Sequence, residues 1–398
     1  MEQFEEKNRV SLIELFIPIF YIINQYSISG ISLGLILMLV VVVWNFINTK
    51  KFNVFTPLLA LFGFMLFHDI LKMFVVTVNT SAWIERFVYL LFLSSIIGRV
   101  NRDNLYKIWK IVGLFAMAGM FYQSFQVYFL GQAVSMIKLI PFATSTSSNY
   151  TLAYMRPHSF FLEPAAYATW ILPLLYMAME RKKTLFAILI SISVMLSTSS
   201  TGLIMVGVVW LYFSFIDARE EGRRWNGLIL VSILIIGVGA LSSLEIFSTS
   251  FEKITNISLN DTSNAVRLSL GFQLFFQTPI SYKLLGIPYS TIEDYLRSGA
   301  INLSTYGLSL STSYLGFVNA LGNCMLNYGI FGTVLYLRLF YRCFIEADKR
   351  LKCYVLLCVL SIFGQSVFWN GLFVTQMAVI LGSLEEPRYK VFTLEKRV

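Results

Sequence analysis

Ionisable and strongly polar side chains interrupt otherwise apolar stretches of this chain at a few places. His68, Asp69 and Lys72 fall within one such stretch, and Glu85-Arg86 opens the next. Gln123 and Gln126 sit late in another. Arg156, His158 and Glu163 follow, and Ser197-Thr198-Ser199-Ser200-Thr201-Gly202 makes a run of hydroxyls at a turn. An ionisable group inside a membrane-spanning helix costs roughly 2.5–3.5 kcal/mol at its centre. Such groups are functional candidates by default. Asp69 and Lys72, at i and i+3, can pair on one helix face. Glu163 can act as a base, or with Pro164 simply start a helix, since proline suits the first turn and a carboxylate suits the positive dipole end. His158 can assist as a second base or lie idle at a surface. Arginine forks, hydroxyls and the free N–H groups of helices beginning near Pro164 and Thr201 together make an anion site, and phosphate is its common occupant. No D-x-D cluster is present to hold a divalent metal, and no glycine-rich nucleotide loop occurs, so neither metal nor cofactor is expected.

These residues must be positioned by helices in lipid. Of 398 residues, 57% are hydrophobic and 13% charged, with a mean hydropathy of +0.68. Soluble domains carry about a quarter charged residues. So few charges cannot cover a water-soluble protein of this size, and so much apolar side chain excludes disorder. The expected class is all-α, a polytopic integral membrane protein of about twelve transmembrane helices. Hydropathy places them at 11–27, 30–48, 54–78, 82–98, 105–130, 159–179, 184–199, 201–217, 226–245, 314–340, 351–369 and 371–384. The whole of 1–398 reads as one transmembrane domain, with a large extracytoplasmic loop at 246–313.

Alternating these spans from a cytoplasmic N-terminus puts 23 of the 31 lysines and arginines on the inner side. That bias is the positive-inside pattern, with both termini cytoplasmic. It accounts for the net charge of +9 without nucleic acid. The polar candidates then cluster towards the outer side, as one outward-opening cavity would require. Within the large loop, 262–280 has the spacing of a single amphipathic helix. Cys324, Cys343, Cys353 and Cys358 form no C-x-x-C pair, and only two histidines exist, so a zinc site is not expected and the thiols read as small buried hydrophobes. An outward-facing phosphate site beside lipid suggests a lipid diphosphate as substrate.

Four segments carry a resemblance to a known family. Arg156-Pro157-His158-Ser159-Phe160-Phe161-Leu162-Glu163-Pro164 resembles the R-x-x-S-F-F-x-E-P element of bacterial polysaccharide polymerases. Ser199-Ser200-Thr201-Gly202 resembles their S-x-T-G turn, shared with O-antigen ligases. Arg267, followed by Gln277-Thr278-Pro279 and Leu285-Gly286-Ile287-Pro288, resembles the arginine helix of their outer loop. Asn319-Ala320-Leu321 through Asn327-Tyr328-Gly329-Ile330-Phe331-Gly332 resembles the helix after that loop. The chain thus resembles the O-antigen and capsular (Wzy-type) polymerases.

The resemblance implies a GT-C-like glycosyltransferase of the bacterial inner (cytoplasmic) membrane. Such enzymes join oligosaccharide units carried on undecaprenyl diphosphate, at the outer face and in contact with membrane lipid. A chain-length regulator protein is a partner of such systems. Arg156 and Arg267 match the arginines expected at the diphosphate, with Glu163 and His158 beside the reacting groups. Ser199, Thr201, Asn319, Asp69 and Arg86 are then candidates for substrate binding. The segment opening the span after the loop, Ser311 to Asn319, lacks the histidine of ligases, which favours polymerase. A ligase-type transferase and a lipid-linked oligosaccharide transporter are the alternatives. A transporter calls for repeated halves and a polar path across the bilayer, and neither is visible in the sequence.

Overall fold

Ser11 opens the first helix, α1 (Leu12–Asn24), with a reciprocal capping box: its hydroxyl accepts from Glu14 N at 3.2 Å, and Glu14 Oε2 accepts from Ser11 N at 2.8 Å. The other carboxylate oxygen accepts from Asn101 N at 2.8 Å, so the one charge in this apolar helix ties it to a distant connection. The structure, a computed structural model, describes residues 10–74, 76, 80–141, 143–145, 155–220, 269–289, 291–299, 318–385 and 390–393. It is mostly helical, with 14 helices among the described residues.

After α1 come α2 (Leu33–Thr49), α3 (Thr56–Met73), α4 (Thr80–Ile96) and α5 (Arg102–Tyr128). Next are α6 (Pro164–Glu180), α7 (Thr184–Leu196) and α8 (Ser200–Glu220). Three short helices follow, α9 (Gly271–Gln277), α10 (Ile280–Leu285) and α11 (Ile292–Arg297). The chain closes with α12 (Ala320–Glu346), α13 (Leu351–Gly364) and α14 (Gly371–Gly382). Each of the expected spans meets one helix, except 226–245, which lies outside the described residues. By length and composition α3 and α5 are long and apolar enough to cross a membrane, while α1, α2, α7, α13, α14 and the Ser200–Ile216 part of α8 are apolar but shorter.

Helix α6 is buried without interruption from Ala166 to Ala178, and α14 along its whole length. A helix apolar on every face belongs at the centre of its protein. Around α6 pack α5, α7, α8, α13 and α14, and around α14 pack α1, α4, α6 and α13. The surrounding helices turn large apolar side chains outward: Trp44 and Ile47 on α2, Phe115 and Phe125 on α5, Phe331 and Val334 on α12 are all exposed. All four cysteines are free and buried.

Five short strands lie between helices. Antiparallel β1 (Tyr26–Ile28) pairs with both β2 (Ile31–Ser32) and β4 (Thr144–Ser145). At the other end β3 (Lys51–Val54) pairs with β5 (Lys390–Thr393), Lys51 opposite Thr393. That end also gathers the basic connections. Arg102 donates to Glu180 Oε1 at 2.9 Å and to Asp348 Oδ2 at 2.5 Å, Arg350 donates to the Glu180 carbonyl at 2.8 Å, and Arg181 donates to Asp103 at 2.6 Å. Burial alone would raise the Asp348 carboxyl. The N–H groups of Leu351 and Arg350 and the Arg102 guanidinium outweigh it and hold the carboxyl below its ordinary range.

Of the helix expected over 262–280, residues 262–268 lie outside the described residues, 271–277 form α9, and the helix stops short of 280. Thr278 ends α9, its hydroxyl donating to Phe275 O at 2.7 Å, and Pro279 starts a second short helix. Proline has no N–H to continue the first helix and bars its predecessor from helical backbone. Both pieces lie on α12. Gly271 abuts Gly322, and Ile287 N donates to Leu326 O at 2.9 Å. Gly286 has φ +100, and a Cβ there would stand 2.2 Å from the Asn327 carbonyl oxygen. Gly329 has φ +62, kinks α12, and faces the Leu284 carbonyl in the same way. Only glycine tolerates both that backbone and that approach.

Two outcomes follow for stability. Arg102→Met takes from Asp348 its cation and leaves Glu180 only Arg181, and should cost about 1–3 kcal/mol, with part regained by adding Asp348→Asn, as read from thermal melts of the full chain in detergent. Because Asp348 is depressed in the folded state, its contribution is full above the ordinary carboxylate range and is lost as pH falls through its native value. Gly286→Ala should cost on the order of 3 kcal/mol and release 269–289 to limited proteolysis while leaving the helices of the bundle protected.

Candidate functional site

At the end opposite Arg102, the segment before α6 is folded by two glutamines. Gln123 Oε1 on α5 accepts from both His158 N at 2.8 Å and Ser159 N at 2.7 Å, and its amide donates to Ser135 O at 2.8 Å. Gln25, just after α1, accepts from Leu162 N at 2.9 Å and donates to Phe160 O at 3.3 Å. Ser159 sits at φ +56 and donates to Ala116 O at 2.7 Å. Gly119 gives it room, since a Cβ there would stand 2.6 Å from the Ser159 hydroxyl. A buried backbone N–H without a partner costs about 1–3 kcal/mol, so these amides determine where 156–163 lies.

That placement aims Arg156 at the hydroxyl turn. Its Nε donates to Thr198 Oγ1 at 2.9 Å and its Nη2 to Thr198 O at 2.6 Å. Thr198 itself adopts φ +51. Ser199 is buried and caps α8, accepting from Gly202 N at 3.3 Å. Thr201 lies against Gly364, where a Cβ would stand 3.1 Å from its methyl. Arg156, Ser199 and Thr201 are therefore neighbours around one turn, with Thr198 as the direct partner of the guanidinium.

His158 is buried, and its Nδ1 lies 2.9 Å from Arg156 O. A carbonyl only accepts, so Nδ1–H donates and the neutral ring carries its basic lone pair on Nε2. Burial pulls the imidazole below the ordinary histidine range. The Arg156 carbonyl opposes that shift and the Arg156 charge adds to it. Glu163 is the N-cap residue of α6, with Pro164 in the first turn, but its carboxylate makes no capping hydrogen bond. The helix start is thus fixed by Pro164 and extended backbone at Glu163, and not by the carboxylate.

Gln365 joins this group to α12. It accepts from Thr169 Oγ1 at 2.6 Å, and its backbone carbonyl accepts from Ala320 N at 2.8 Å. Asn319 is buried and caps α12, accepting from Gly322 N at 2.7 Å. Further along α12, Tyr328 meets the charged residues of α3 and α4. The expected pair of Asp69 with Lys72 is not formed: Asp69 is ion-paired with Arg86 across the helix interface. Arginine's fork reaches Asp69 from α4, whereas Lys72, a turn along the same helix, extends over the Tyr328 ring with Nζ 5.6 Å from its centroid. Glu85 accepts from Tyr89 OH at 2.5 Å, so it does not pair with its neighbour Arg86.

Arg267 lies outside the described residues, so its placement relative to Arg156 is not described. Gln25 and Gln365 had a signal in the sequence, an amide in or beside an apolar span. Thr198 had a weaker one, as a member of the hydroxyl run. A scan against models of known protein families finds no match, and a search of curated proteins finds none either.

Gln123→Leu removes the acceptor of two buried N–H groups. It should cost about 2–4 kcal/mol and move the His158 resonance towards that of an exposed histidine, which histidine-selective NMR reads directly. Since the native His158 is depressed, the stability it confers is full above about pH 6.5 and falls as the solution is acidified through its native value.

Proposed function

We propose that this chain is a polytopic membrane glycosyltransferase that polymerises oligosaccharide units carried on undecaprenyl diphosphate, at the outer face of a bacterial cytoplasmic membrane. The observation that carries the reading is the docking of Arg156 on the 197–201 turn, which unites two of the four family-like segments at one end of the bundle. The other two segments also meet, through Gly286 and Gly329. Twelve spans with both termini cytoplasmic are supported by the two ends. Connections assigned to the inner side gather at the basic end, including the β3–β5 pair. Those assigned to the outer side gather with β1, β2 and β4. Exposed apolar faces on α2, α5 and α12 fit contact with lipid.

In this reading the growing lipid-linked chain is the donor. A hydroxyl at the non-reducing end of a new unit attacks the anomeric carbon, that hydroxyl's proton passes to a base, and undecaprenyl diphosphate leaves with the bonding pair. Negative charge grows on the departing diphosphate, so fixed cations there favour the transition state over the ground state. Arg156 and Arg267 supply them, with the turn at Ser199 and Thr201 shaping the site. Glu163, beside the turn of chain that presents Arg156, takes the proton. His158, held neutral with Nε2 as its basic nitrogen, is the second choice. One displacement inverts the anomeric configuration.

The test is the purified full chain in lipid nanodiscs with a synthetic undecaprenyl-diphosphate repeat unit, without nucleotide sugar or metal. A ladder of lipid-linked polymer is expected. Arg156→Ala should slow it about 10²–10³-fold, and Glu163→Gln should remove it. Transfer without growth in length would instead indicate a ligase, and no ladder from the native unit would overturn the proposal.

A further inference from the structure

Between α3, α4 and α12 the structure buries more positive charge than it compensates. Lys72 is 5% exposed and, among the described residues, makes no ion pair. The carboxylate nearest to it along the helix, Asp69, is taken by Arg86. Both cations hang over one ring: Lys72 Nζ stands 5.6 Å from the Tyr328 centroid and Arg86 Cζ 5.9 Å. Glu85 is turned along α4 to Tyr89 and does not offset them. Lys72, Arg86 and Asp69 thus sum to one uncompensated positive charge in a low-dielectric setting, an arrangement that is costly unless an anion joins it.

A second observation points to the same guest. His68, one turn before Lys72, is 5% exposed, and its Nδ1 is a buried ring nitrogen with no hydrogen-bond partner. Its ring is fixed by Phe64 and by Tyr328, edge-on at 5.3 Å. Arg86 keeps 27% of its side chain exposed, while Lys72 and His68 lie buried behind it. We infer that Lys72, Arg86 and His68 form a binding site for a single oxyanion, separate from the Arg156 turn. Lys72 and Arg86 supply charge, Arg86 keeps one edge on Asp69, and His68 donates from Nδ1. A phosphate of a lipid carrier and the carboxylate of an acidic sugar share that chemistry. Assigning the oxyanion to the second of two lipid-linked units rests on the polymerase reading, whereas the site itself does not.

The chain has two histidines, His68 and His158, so histidine-selective labelling of the full chain in nanodiscs gives one resonance for each. Inorganic phosphate and glucuronate are the probes. The His68 resonance should shift saturably with at least one of them. Phosphate alone would mark a carrier headgroup, and glucuronate alone an acidic sugar. Lys72→Met matches the length of lysine and removes a buried charge, so it should fold, as an unmoved His158 resonance would report. It should weaken the apparent affinity about tenfold or more, and Lys72→Arg should retain it. A His68 resonance unmoved by both probes, or a Lys72→Met titration equal to that of the parent, would overturn the site. A missing polymer ladder beside an intact His68 titration removes only the polymerase reading. A ladder beside a silent His68 removes only the oxyanion site.

Discussion

A backbone N–H buried in an apolar bundle must find an acceptor, and at the end opposite Arg102 the side chains of two glutamines meet this requirement while a third, Gln365, bonds a hydroxyl. Gln123 serves two consecutive N–H groups of the 156–163 segment, Gln25 serves a third, and Gln365 ties Thr169 of α6 to the start of α12. Amides suit the task because each offers an acceptor and two donors without a charge to bury. They add to the Ser159–Ala116 and Ile137–Ser159 hydrogen bonds and the buried Phe161 in holding 156–163 against the bundle. With them in place, Arg156 is delivered to the one turn whose carbonyl and hydroxyl both face it. The position of every candidate around Thr198 depends on this neutral scaffold, more than on any ion pair.

The opposite end is organised by charge. Arg102 spans two carboxylates from different connections, and Arg350 and Arg181 extend the network. These groups are partly exposed, where pairing contributes little individually and the network matters more than its members. One end is thus stapled by solvated ion pairs and the other by buried amides. Such a division suits the proposed activity, which places its chemistry at the amide end. A neutral scaffold does not compete with a polyanionic substrate for the arginines, whereas a carboxylate scaffold would.

How much of this was legible from the sequence depends on range. Helix positions were, because long apolar runs leave no alternative to internally paired backbone, and residues 33–49 and 371–382 form helices where hydropathy placed spans. Local partners were less so. The i, i+3 spacing of Asp69 and Lys72 permits a pair, yet Arg86 on the next helix reaches the carboxylate instead. The apolar spacing of 262–280 suggests one helix; its described part is helical over 271–277, Pro279 ends it, and Gly286 and Gly329 set the docking of the next piece on α12. Asn319 and Ser199, polar residues at family-like positions, spend their side chains capping α12 and α8. Long-range hydrogen bonds such as Gln25 to Leu162 leave no periodic trace, because nothing in a one-dimensional pattern brings residue 25 near residue 162.

On the proposed activity, a rigid site would have to serve a moving substrate. Catalysis by fixed cations works only if they need not reorganise as charge develops. Arg156 is fixed through Thr198, and Thr198 occupies a left-handed conformation held between two helices, α7 and α8. Those helices pack on α6, whose first turn begins directly after Glu163. The arginine, the turn and the carboxylate therefore share one rigid support, the buried helix α6. On the polymerase proposal, a polymer lengthening by one unit per cycle would present a different chain each time but the same diphosphate. On the same proposal, a support fixed to that constant group would let one geometry be reused at every step.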